Sequence, residues 1–237
     1  VMATDMDMDM ITATPMTMAT ATCTQSRPGT STPAAPTAHT TSPDTAMAEP
    51  LALLRLLQLA SPALPIGAFN FSQGLEYACE TGWITDETQA GRWILGLATH
   101  GIARVDLPML LRLHAAFGRG DAEEARRLSQ ELLASRETCE LRAEELHLGQ
   151  SLARVLVEYG IEGAAPWRRD AAATHAALFA LAAVTERVSA TDCALAYGWA
   201  WAENQVTAAV KLVPLGQTAG QRLLESLRRE LPALVAS

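Results

Sequence analysis

The chain has 237 residues, 49% of them apolar, and its 26 acidic side chains outnumber the 18 basic ones to give a formal net charge of -8, so it lacks the basic surface that nucleic-acid phosphates require. Cys23, Cys79, Cys139 and Cys193 are far apart with no Cys-x-x-Cys pair, which argues against a disulfide framework and fits reduced thiols in the cytoplasm. The longest apolar run, Ala171 to Val184, is interrupted by Thr174 and His175 and is too short to span a bilayer, so no membrane insertion is expected.

Residues 1–49 are rich in Thr, Met, Ala and Pro and contain no Phe, Trp, Tyr or Leu. Such a segment cannot bury enough surface to offset its chain entropy, and a disordered N-terminal extension is expected. Asp5, Asp7 and Asp9 stand where a secretory or mitochondrial leader would carry basic residues, so the segment does not read as a leader. Met47, opening Met-Ala-Glu-Pro-Leu, is the expected natural start. Residues 50–237 have the apolar content for one domain.

From Pro50 the elements come in order. An apolar helix runs to Ser61, where Pro62 and Pro65 stop it and stiffen the next segment, and Gly67 restores backbone freedom. Phe69 and Phe71 alternate with polar residues before Ser72 opens a second helix. Thr85 reads as the cap of a helix to about Ala103, in which Trp93, Ile94, Leu97 and Ile102 recur at helical spacing. Asp106 reads as the N-cap of the next helix, with Pro108 in its first turn and its end at Phe117. After Gly118-Arg119-Gly120, Asp121 starts a helix with acids early and bases late, as the helix dipole prefers.

A helix with a heavily charged face is expected from Glu137 to Tyr159, ended by Gly160. Gly163 to Pro166 form a connection. Ala171 to Val188, apolar nearly all round, reads as a helix buried in the middle of a bundle. Ser189 with Asp192 is a capping box for a helix reaching Leu212. Pro214 and Gly216 break it, and Gln217 to Leu231 form the last helix. No stretch alternates like a half-buried strand. The fold class is all-α: a single-domain bundle of about eight to ten helices with short connections.

Two segments carry a resemblance. Leu53 to Glu76, with its Ser-Pro-Ala-Leu-Pro-Ile-Gly core, and Ala200 to Leu224, which includes Glu203-Asn204-Gln205 and Lys211-Leu212-Val213-Pro214-Leu215-Gly216-Gln217, resemble the signatures of the UreF family of urease accessory proteins. Weaker landmarks lie between them: Gly82-Trp83-Ile84, Asp106 to Pro108, Arg136-Glu137, Arg142, Glu144 and Gly149. The likeness covers Pro50 to about Leu231. It implies a UreF-like helical, non-enzymatic adaptor that bridges a UreD/UreH-type accessory protein and the GTPase UreG. It also implies docking on apo-urease for GTP-dependent nickel insertion, and a homodimer.

Glu203, Thr207 and Lys211 share one helix face among Trp, Ala and Val. On residue chemistry alone, a structural polar stripe is the better reading, because buried charges must find partners. The resemblance shifts the expectation to partner binding, with Phe69, Glu203, Gln205, Lys211, Pro214, Leu215, Gly216, Gln217 and Arg222 as contact residues. No catalytic, cofactor or metal-binding residue is expected.

Phosphate-binding glycine loops and the Gly-x-Ser-x-Gly nucleophile motif are missing. Glu144-x-x-His147 is a single copy of a step that di-iron bundles use twice, so a charged solvent-facing surface is expected there instead of a metalloenzyme site. Within the family picture, an arginine acting in trans on GTP hydrolysis is the rival mechanism, with Arg136, Arg142 and Arg222 as candidates.

Overall fold

A computed structural model describes residues 50–237. The readings of 1–49 as a disordered extension and of Met47 as the start lie outside the described residues. Among those described there are nine α-helices and no strand: α1 Pro50–Ala60, α2 Leu75–Glu80, α3 Glu87–Leu97, α4 Leu107–Gly118, α5 Ala122–Ala134, α6 Cys139–Glu158, α7 His175–Thr185, α8 Ala190–Leu212 and α9 Gln217–Ala236. This is the all-α bundle expected.

The helix starts reflect local chemistry. Asp121 accepts from Glu124 N at 3.0 Å, and Thr138 accepts from Leu141 N at 3.2 Å. Ser189 Oγ accepts from Asp192 N at 3.1 Å and donates back to its carboxylate at 2.7 Å, closing the box. At α3 the cap is Asp86 instead of Thr85. The Asp86 carboxylate takes Gln89 N at 2.8 Å, while the Gln89 side chain turns back to accept Thr85 N at 2.7 Å.

Asp106 is not an N-cap. The chain stays helical from Glu87 to Gly118, with a π-helical stretch over Ala98–Asp106 joining α3 to α4. Asp106 has helical φ and ψ of -69° and -50° and no capping bond. Pro108 has no N–H to give the helix and crowds the preceding turn. The wider π turn, in which Leu107 N reaches back to Ile102 O, lets the helix continue through that position.

Length and composition alone would let Glu87–Gly118 cross a membrane, a possibility that the longest apolar run of the sequence does not reveal. In the fold, its Ala90, Ile94, Leu110, Leu113 and Ala116 are fully buried, which is the environment of a core helix.

The core has two parts. The larger is built by α1, α4, α5, α6, α7 and the start of α8, around Leu110, Leu113, Leu128, Leu132, Leu152, Leu156 and Phe179. The smaller joins α2, α3, the end of α8 and α9 through Leu75, Ile94, Val206, Ala209 and Leu223. The helical rod of α3 and α4 and the long helix α8 each contribute to both.

Two segments are shorter or more regular than the sequence suggests. The buried helix begins only at His175, because Thr174 caps it by accepting from Ala177 N. The connection around Pro166 is a 3-10 helix, Glu162–Arg169, whose Trp167 packs edge-on to Phe117. Just before α7 the backbone passes very close to Gly149 of α6. A Cβ at 149 would lie 1.9 Å from Ala173 O, so only glycine fits there.

Candidate functional site

The opening segment after α1 folds as the prolines and Gly67 suggest: Gly67 takes φ 77°, and Ala68–Asn70 form one 3-10 turn that sets Phe69 at the surface with 57% exposure. Lys211, on the last turn of α8, places its Nζ 5.7 Å from the centre of the Phe69 ring, a cation–π contact between two of the expected partner-binding residues. Pro214, Gly216 and Gln217 are exposed just beyond, and Leu215 is half-buried. Tyr77 of α2 and Trp83 just beyond it, each 61% exposed, stack edge to face with ring centres 5.8 Å apart as a second exposed aromatic pair.

The other expected contact residues are placed differently. Glu203 is half-buried, and burial raises its pKa against a hydrogen bond from Trp199. Gln205 is 1% exposed and points inward. As a surface contact it is corrected by the fold: its amide Nε2 donates to Gln73 Oε1 at 3.4 Å. Arg222 is exposed and forms a forked pair with Glu87 of α3 at 2.9 and 2.5 Å, holding that carboxyl below its ordinary pKa.

Beneath the opening segment lies a charge cluster that the sequence does not assemble on its own. Arg136, in the α5–α6 connection, grips both oxygens of Asp106, with Nη1 to Oδ2 at 3.1 Å, and donates through Nη2 to Glu145 Oε2 at 2.6 Å. The other oxygen of Glu145 accepts from His175 N at 2.8 Å, putting a carboxylate at the N-terminus of α7, where the helix dipole favours it. Burial by itself would lower the Arg136 pKa, but the Asp106 hydrogen bonds and the Glu145 charge outweigh it and hold the guanidinium above its ordinary value. Burial raises the Asp106 carboxyl against the pull of Arg136.

The Glu144–His147 step is likewise corrected. Glu144 is 9% exposed and faces inward, whereas His147 is exposed and packs edge-on to Phe71 at 5.9 Å. Among the described residues no group of three or more His, Cys, Asp or Glu could hold a metal ion. Burial, opposed by a bond from Gln73, pushes the Glu144 carboxyl up to about 7.

Gln73 is a site residue that sequence reasoning misses. It is a non-glycine residue at φ 49°, a left-handed conformation that costs about 1 kcal/mol or more. Held there, its Nε2 donates to Glu144 Oε1 at 3.0 Å, and its Oε1 accepts from Trp201 Nε1 at 2.8 Å. One amide thus ties the opening segment to α6 and α8. The available signal is Gln73-Gly74, a polar residue beside a glycine at a helix start, but its partners lie 71 and 128 residues away.

The arginine alternatives narrow accordingly. Arg136 is committed to two buried carboxylates, and Arg142 donates to Arg136 O at 2.6 Å, bracing the same connection. Arg136 is therefore not free to reach another protein's nucleotide as the chain stands, whereas Arg142 and Arg222 are exposed.

A family model described as UreF matches residues 84–228. The chain belongs to the UreF family. A urease accessory protein UreF of Alkalilimnicola ehrlichii is 52% identical over 174 residues, spanning 73% of this chain and 76% of that protein. The UreF of an Azoarcus species is 49% identical over 190 residues, spanning 78% and 81%. That of Methylibium petroleiphilum is 44% identical over 207 residues, spanning 86% and 83%. In this UreF-family chain the landmarks Asp106, Arg136 and Glu144 are parts of one buried cluster, and Gly149 is the crossing point beside it.

Proposed function

We propose that the chain is a non-enzymatic adaptor of urease maturation, bridging a UreD/UreH-type accessory protein and the GTPase UreG and docking on apo-urease for GTP-dependent nickel insertion. It acts as a homodimer in the cytoplasm. Membership of the UreF family carries this reading. On the chain itself, the exposed Phe69–Lys211 pair and the Pro214–Gln217 turn support it, because they set an aromatic anchor and a cation on a surface braced from below. To bias the GTPase, the adaptor must bind one of its nucleotide states more tightly than the other.

The test is co-purification of the full chain with the three maturation partners, comparing wild type with Phe69→Ala and Lys211→Ala. Removing an interface anchor costs about 2 kcal/mol, so affinity for at least one partner is expected to fall about thirtyfold while the melting temperature is unchanged. Undiminished binding by both variants would remove this surface from the assignment. Truncating α9 is not a usable alternative, because Leu223 and Leu227 belong to the smaller core.

A further inference from the structure

A cavity of about 70 Å³ lies between the opening segment and the charge cluster, walled by Ile66, Phe71, Gln73, Glu144, His175 and Gln205 among others. One water needs about 10–15 Å³ of such space, so there is room for more than one. Two buried acceptor-capable atoms, Gln205 Oε1 and His175 Nε2, have no protein partner, and both residues line this space. Buried polar atoms without partners beside a polar cavity of this size are the setting in which ordered water is found.

The charge around the cavity is unbalanced. Asp106, Glu144 and Glu145 face it with Arg136 as the one guanidinium, and His175 and Tyr197 are the other titratable groups on its wall. Burial drives the His175 pKa down to about 4 and the Tyr197 pKa well up, so both are neutral near pH 7. Arg136 is already shared by Asp106 and Glu145, which leaves Glu144 with only the Gln73 amide. Glu144 and Gln73 also line two outer grooves. Glu76, Tyr77, Glu80 and Glu140 stand around one, and His100 and Glu137 around the other. The Gln73–Glu144 hydrogen bond is therefore part of the wall between the interior and solvent.

We propose that this cavity is a hydrated proton-binding site, in which Glu144 exchanges a proton with cavity water and thereby sets how firmly Gln73 holds the opening segment. Ionised Glu144 accepts a charge-assisted bond from Gln73 Nε2, and protonation weakens that bond to an ordinary one. Gln205 Oε1 and His175 Nε2 hold the water that carries the proton. This site stands apart from the adaptor role, because each test of it uses the chain without partners.

Linkage gives the sign. The carboxyl has a pKa of about 7 when folded and lies near 4.5 when unfolded, so the native state binds the extra proton between these values. Its contribution to stability is full at low pH and is lost as pH rises through 7. The Glu144 and Asp106 charges repel, so the Asp106 carboxyl is followed in both proteins and its own contribution subtracted, whereas the His175 shift comes from burial, Asp106 and Arg136.

The ratio of unfolding constants, wild type over Glu144→Gln, is expected to grow tenfold to a hundredfold from pH 5 to pH 8. The Trp201 indole N–H resonance, assigned with Trp201→Phe, should shift with a midpoint near neutrality in wild type and stay fixed in Glu144→Gln. A pH-independent ratio, or an indole that does not titrate in wild type, would overturn the proposal. Should the variant fail to fold, carbon-13 titration of the wild-type Glu144 carboxyl decides the matter. A midpoint near 7 supports the site, and one at the ordinary glutamate value refutes it. A crystallographic cavity without water on Gln205 and His175 would refute the hydration route.

Discussion

Arg136→Ala is expected to cost about 3–5 kcal/mol of stability, because it leaves the Asp106 and Glu145 carboxylates buried without their shared cation. The Arg136 side chain is 16% exposed and those of Asp106 and Glu145 are 4% and 8%, so water cannot substitute for it. Without the guanidinium, the Asp106 carboxyl, already raised by burial, becomes easier still to protonate in the folded state. The loss should therefore be largest at pH 8 and shrink as pH falls toward 5, which denaturant unfolding at the two pH values measures. The same experiment decides the rival mechanism for this residue: an arginine used only in trans would leave the unfolding midpoint where it was.

Gly149→Ala should be comparably damaging for a steric reason. The new Cβ would meet Ala173 O at 1.9 Å, 2.5 Å from the carbonyl carbon of the same residue. The obstacle is backbone at the entrance to α7, fixed by the Thr174 cap and by Ser129 Oγ, which bonds Thr174 Oγ1 at 2.6 Å. Overpacking a flexible site costs about 1–3 kcal/mol, and a fixed backbone puts this case at or above the top of that range. Gly96→Ala in α3 is the control. Nothing lies within 4 Å of a Cβ there, so helix propensity should leave stability unchanged or raise it by up to about 1 kcal/mol. Chemical denaturation of the pair tests both expectations.

Fold class and helix order are legible in the sequence because they rest on short-range chemistry. Asp121, Ser189 with Asp192, and the break at Pro214 and Gly216 do locally what those residue types favour. The departures share one physical cause. Asp106-Leu-Pro108 has the local grammar of a helix start, yet its meaning is set by Arg136, 30 residues on, and by a π turn that lets Pro108 sit inside a continuous rod. Glu144 reads as solvent-facing because its helix carries many charges, and periodicity cannot distinguish a charged face pointing outward from one turned toward the Gln73 amide. Gln205 likewise reads as a surface residue when its partner is Gln73. Phe69 and Lys211 lie side by side at the surface although 142 residues apart in the sequence, a pairing that local patterns do not show.

The π turn also sets a rotational phase. Each residue of an α-helix advances the side chains by about 100°. Inserting one more residue between Ala98 and Asp106, where the turn is already widened, would swing Leu110 and Leu113 by about that angle relative to Ala90 and Ile94, so both halves of the rod could not stay docked at once. The number of residues in this stretch keeps two separate cores in register along a single shaft, and an insertion there should be far less tolerated than a substitution of its exposed Arg104.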